Sequence, residues 1–123
     1  LSKDVRVYLA QILERIQRIE DFTQAGEQRF LDDPLIQDAV IRNFEVIGEA
    51  AKRVPEAYRR SQPDIPWRDL AALRDVLIHQ YEGVSLELLW STIEDHLPGL
   101  RLVIAETLPP LDQLERELGD SDP

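Results

Sequence analysis

Apolar residues recur every three or four positions along almost the whole chain, and no segment alternates with period two. That periodicity leaves room for helices and excludes a half-buried sheet. Val5, Leu9, Ile12, Ile16 and Ile19 make one stripe on a first long helix. Asp33-Pro34 is a start signal, an N-cap followed by proline at the first helical position. Ile36, Val40, Phe44, Ile47, Ala51 and Val54 form the second stripe, which Pro55 ends or kinks. Pro63 and Pro66 keep the next connection short and non-helical. A third helix starts near Trp67 with Leu70, Leu73 and Leu77 inward, and Gly83 offers a C-terminal cap. Ser85 caps a fourth helix carrying Leu86, Leu89, Ile93, Leu97, Leu100 and Ile104, with a kink expected at Pro98. The expectation is an all-α, antiparallel bundle of four to five helices joined by short connections.

A chain of 123 residues can bury one real core. We expect one helical domain over residues 1–108. Pro109-Pro110 should break the last long helix, leaving a short amphipathic turn through Leu118 and a frayed acidic tail within 109–123. The start Leu-Ser-Lys-Asp is no signal peptide and lacks an initiating Met, which suggests a trimmed N-terminus. No apolar run approaches a membrane span, so the cytoplasm is the expected compartment and no membrane partner is expected. Without cysteine the chain has no disulfide, thiol nucleophile or thiolate metal site.

A net charge of −10 argues against indiscriminate binding to nucleic acid, which depends on neutralising phosphates. The charge is uneven, however. Arg42, Lys52, Arg53, Arg59, Arg60, Arg68 and Arg74 outnumber Glu45, Glu49, Glu56, Asp64 and Asp69, whereas six acids from Glu106 onward face Arg116 alone. This is either an ordinary solvated surface with an acidic tail, or a basic strip offset by acid elsewhere.

The strip ends at Arg74-Asp-Val-Leu-Ile-His79-Gln-Tyr81, where chemistry is concentrated. A guanidinium matches phosphate through paired donors on a planar fork. An imidazole gives or takes a proton near neutral pH. Together they suit a phosphodiester on which a proton must move. Asp75, four residues before His79, is placed to orient its ring along the helix. On a straight helix Arg74 and Tyr81 share a face, but His79 lies about 140° round from Arg74. Either the helix ends near His79, or a twofold dimer sets Arg74 of one copy near His79 of the other. Spacing alone favours a purely structural reading. In that reading Arg74 pairs with Asp69 or Glu82, His79 caps the helix end and Tyr81 packs at the bundle's edge. His96 reads as a surface histidine without a partner at zinc-ligand spacing, so no metal site is expected. Gly-rich phosphate loops and Gly-x-Ser-x-Gly elbows are absent, which removes a serine hydrolase. Gly48, in mid-helix, costs roughly 1 kcal/mol against alanine, and close approach of another helix would explain it.

Three motifs in order resemble a known family: Arg42-Asn-Phe-Glu-Val-Ile-Gly-Glu-Ala-Ala-Lys-Arg-Val54, Ile65-Pro-Trp-Arg-Asp-Leu70, and Arg74-x4-His79-x-Tyr81. The pattern is similar to the HepT branch of the HEPN superfamily, helical toxins encoded beside a minimal nucleotidyltransferase, and it extends from about Asp4 to Leu108. The resemblance implies an all-α homodimer whose Arg-x4-His motifs line a shared cleft. It further implies the toxin of a type II- or VII-like toxin–antitoxin pair, cutting RNA without metal or cofactor. Arg74 would then hold the scissile phosphate and His79 would act as general base or general acid. Asp75 matches the polar position after the arginine, and Tyr81 matches the tyrosine that the partner nucleotidyltransferase modifies with AMP. The alternative is a non-catalytic helical module that binds or presents substrate to a nucleotidyltransferase.

Overall fold

The computed structural model describes residues 4–79, 83–108, 113, 116 and 117, and seven helices lie among them. They are α1 (Val5–Phe22), α2 (Glu27–Asp32), α3 (Pro34–Arg53), α4 (Glu56–Ser61), α5 (Trp67–His79), α6 (Leu86–Asp95) and α7 (Leu97–Thr107). No strand occurs among the described residues, so the all-α bundle expected from the periodicity is the observed architecture.

Local signals place the long helices. The Asp4 carboxylate accepts from the backbone N–H of Arg6 at 2.8 Å and starts α1. Its stripe Leu9, Ile12, Ile16 and Ile19 is fully buried. Asp33 caps α3 through the N–H of Leu35 at 3.0 Å, with Pro34 at the first position, where a missing N–H costs nothing. The Ser85 hydroxyl accepts from the N–H of Leu88 at 3.2 Å and starts α6. Helix α3 is the centre of the bundle, packed along α1 on one side and α5 on the other. Helix α7 closes against α1, while α2 bridges α3 and α6. Phe30 of α2 and Trp90 of α6 meet there, ring centroids 5.7 Å apart.

Three features differ from the sequence expectation. Helix α2 follows Gly26, whose φ of +96° is the left-handed turn that a glycine tolerates, and six residues suffice to bury Phe30. Helix α4 fills part of the Pro55–Pro66 connection expected to be non-helical. The fourth long helix is two: α6 ends and α7 begins at His96, with Pro98 in the first turn of α7. Proline is unstrained in a first turn, so the chain restarts instead of bending. The cap expected at Gly83 depends on residues outside the described set, as does most of the turn after Pro109-Pro110.

Candidate functional site

Helix α5 carries the candidate residues Arg74, Asp75 and His79, and the bundle holds it along its length. The Trp67 indole N–H donates to the carbonyl of Gln62 at 3.0 Å, while Trp67, Leu70 and Leu77 are buried in the bundle. Near its middle α5 runs directly over Gly48 of α3. A Cβ placed on Gly48 would lie 2.2 Å from the Arg74 Cβ and 2.7 Å from the Leu70 carbonyl oxygen. The cost of a mid-helix glycine is therefore returned as backbone contact, as expected, and the residue it seats is Arg74.

The Arg74 side chain is 29% exposed, and its Nε is buried with no hydrogen-bond partner. Its Nη1 donates to the Asp75 carboxylate at 3.1 Å. The same carboxylate oxygen accepts from Lys52 of α3, also at 3.1 Å. Lys52, then Arg74, hold the Asp75 carboxyl below the usual carboxylate range. Asp75 thus serves the guanidinium and not the imidazole: among the described residues no hydrogen bond joins it to His79. The local competition explains this, because a lysine and an arginine both within hydrogen-bonding distance outweigh a turn along the helix towards the ring. Among the described residues Asp75, and not Asp69, is the acid that pairs with Arg74.

His79 is the last residue of α5 and is exposed, its ring unpartnered among the described residues. Since α5 is helical through His79, the Cβ directions of Arg74 and His79 stay about 140° apart. One copy of α5 does not by itself aim both groups at one atom. Tyr81 lies outside the described residues. Three large apolar side chains of α5 and α6 are exposed: Val76, Ile78 and Leu88 at 47%, 43% and 66%. Val76 and Leu88, but not Ile78, line a cavity of about 510 Å3 between α5 and α6–α7, floored by Phe44 and walled by Leu73, Leu77 and Val84. His96 lines its far end and is exposed. Among the described residues no group of three or more His, Asp or Glu side chains gathers to hold a metal ion, and no helix is long and apolar enough to cross a membrane.

Lys52 is the site residue that sequence reasoning passed over. The signal was there: Lys52 is four residues after Gly48, hence on the same face of α3, towards α5. Much of the Arg42–Val54 motif is explained by this interface and by the core. The buried Asn43 donates to the Ala39 carbonyl at 2.7 Å and accepts from Arg15 of α1 at 3.3 Å. Phe44, Ile47 and Ala51 fill the core around Gly48.

A family model described as ribonuclease HepT-like matches residues 12–107. A protein of Thermococcus cleftensis named a probable ribonuclease HepT is 46% identical over 82% of this chain and 93% of its own length. A Methanocaldococcus jannaschii protein provisionally named an RNase is 45% identical over 80% of this chain and 82% of its own. A longer protein of that organism, named for a gamma-glutamylcyclotransferase joined to a provisional RNase, is 41% identical over 92% of this chain. This chain spans 51% of that relative's length. No solved structure matches.

Proposed function

Because the chain belongs to the HepT-like ribonuclease family, we propose that it is the toxin of a toxin–antitoxin pair, an endoribonuclease working through Arg74 and His79. The observation that carries this reading is the contrast at the two ends of the motif. Arg74 is packed closely on Gly48, with its guanidinium held by Asp75, whereas His79, at the end of the same helix, is exposed and unpartnered among the described residues. A fixed cation and a free imidazole are what phosphodiester cleavage needs.

In the proposed reaction the ribose 2′-oxygen attacks the adjacent phosphorus as an imidazole removes its proton. The bond to the 5′-oxygen breaks, a second proton reaches that leaving oxygen, and the products are a 2′,3′-cyclic phosphate and a 5′-hydroxyl. Arg74 holds the non-bridging oxygens and stabilises the charge they gain. No metal enters the scheme. Two imidazoles, one as base and one as acid, fit a homodimer in which the motifs of both copies line one cleft. The angular separation of Arg74 and His79 on α5 supports that arrangement. So do the exposed Val76 and Leu88, which line one apolar cavity that a second copy would cover.

The partner in this account is a minimal nucleotidyltransferase antitoxin that transfers AMP to Tyr81. A bulky anion two residues beyond His79 would compete with RNA phosphate for Arg74. Expression in a bacterial host tests the whole reading. Wild type should arrest growth, Arg74→Ala and His79→Ala should not, and co-expressed nucleotidyltransferase should restore growth and add AMP to wild type but not to Tyr81→Phe. Arrest that persists in both alanine variants would refute it.

A further inference from the structure

The arginines of this chain are almost all engaged. Arg6, Arg18, Arg29, Arg42, Arg53 and Arg101 each pair with a carboxylate, as does Arg60 with Glu56 at 2.7 Å. Arg15 is bonded to Asn43, Arg74 to Asp75, and Arg116 is also engaged. Among the described residues Arg59 and Arg68 are the two whose guanidinium groups have no partner, and the Arg59 Nε is buried without one. Both open onto the same place. They line a shallow groove of about 720 Å3 between α4 and the first half of α5, and that groove runs on to Asp75. Of its three acids, Glu56 is paired by Arg60 and Asp75 by Lys52 and Arg74, leaving Asp69 against two free arginines.

The groove also points at the reacting groups. On α5, Arg68, Ala72, Asp75 and His79 fall within about 60° of one another, so they form one face. Arg68 lies about 16 Å before His79 along the axis and about 9 Å before Arg74. A phosphate held at Arg68 is therefore a neighbour of the scissile one and not the scissile one itself. Trp67 is 8% exposed, its N–H committed to Gln62, so the groove presents no ring for stacking a base. It can hold backbone without reading sequence.

We propose that this groove is a second phosphate subsite, in which Arg59 and Arg68 hold the backbone of the RNA strand flanking the linkage cut at Arg74 and His79. The proposal rests on the ribonuclease reading and says how an acidic protein grips its substrate: by a short track of two arginines kept free of ion pairs, in place of an overall positive field. Both are positioning residues, set on the strand beyond the reacting atoms.

The test is equilibrium binding of a fluorescent eight-nucleotide RNA to His79→Ala protein, with and without Arg59→Gln and Arg68→Gln, across a salt series. Loss of two phosphate contacts should weaken binding roughly tenfold at moderate salt and flatten the plot of log affinity against log salt by about 1.4. The exposed Arg68→Gln alone, in which folding is not at issue, should flatten it by about 0.7. In a protein with His79 intact, the double substitution should raise KM for the octanucleotide more than for a dinucleotide carrying only the scissile phosphate. An unchanged salt slope, or no RNA binding by any form, would overturn the subsite. Cleavage by wild type alongside an unchanged slope would overturn the subsite while leaving the ribonuclease reading intact. Binding that depends on Arg59 and Arg68 without any cleavage would uphold the subsite and sink the ribonuclease.

Discussion

Replacing Gly48 with alanine tests the claim that α3 seats Arg74 by backbone contact. The new methyl would lie 2.2 Å from the Arg74 Cβ and 2.7 Å from the Leu70 carbonyl oxygen. Both atoms are fixed to the α5 backbone, so no side-chain rotation relieves the clash. Restoring an ordinary contact of 3.4 Å requires α5 to move off by about 1.2 Å at that point. Overpacking of this kind costs about 3 kcal/mol or slightly more, and alanine returns about 1 kcal/mol of helix propensity. The net loss is about 2 kcal/mol, a fall in Tm of roughly 6–10 °C for a chain of this size. A displacement near 1 Å of the phosphate-holding group should also lower kcat by up to about a hundredfold. Thermal unfolding and RNA cleavage read the two effects. Gly99→Ala is the control, because a Cβ there meets nothing within 4 Å. It should leave cleavage alone and leave Tm equal or higher. Gly48→Ala with a Tm at or above wild type and undiminished cleavage would show that Gly48 does not seat Arg74.

Other outcomes follow from the same contacts. Asp75→Asn should lower kcat, because it releases Lys52 and Arg74 together, while the exposed position keeps Tm close to wild type. The Asp75 carboxyl is held below its ordinary value, so its contribution to stability is complete above that value and fades as pH falls through the lowered one. Melting curves of wild type and Asp75→Asn should accordingly differ by a constant amount from about pH 5 to 8 and converge below about pH 4. Ser85→Ala removes the cap on α6 and should cost about 1 kcal/mol in urea unfolding with an unchanged m-value. Leu77→Ala, in the core beneath the site, should cost about 2–5 kcal/mol in the same assay.

The sequence was legible where a long amphipathic helix meets a cap. The stripes of α1, α3 and α5 and the starts at Asp33 and Ser85 are written in residues whose local chemistry settles the outcome. Helix α2 escaped because six residues give no repeat to detect, and Phe30 alone among them is buried. Helix α4 escaped for a related reason: it buries no residue fully and presents Tyr58 edge-on to Trp67, ring centroids 6.5 Å apart. The break at His96 was hidden because the apolar spacing from Ile93 to Leu97 to Leu100 stays in phase across it. Within the site, Arg74 and His79 were visible through their spacing, and Gly48 through its cost. The partner of Asp75 was not, because a carboxylate's choice between an imidazole on its own helix and a lysine on another depends on how α3 and α5 cross. Only tertiary packing supplies that crossing.

Everything proposed for this site depends on the imidazole of His79 and the guanidinium of Arg74 cleaving RNA without a metal. The most direct measurement is incubation of short labelled RNAs in EDTA with unmodified protein, with His79→Ala and with Arg74→Ala. Cutting by the first alone is expected, leaving 2′,3′-cyclic phosphate ends. Equal cutting by all three, or none by a wild-type preparation shown by mass to lack AMP on Tyr81, would contradict it.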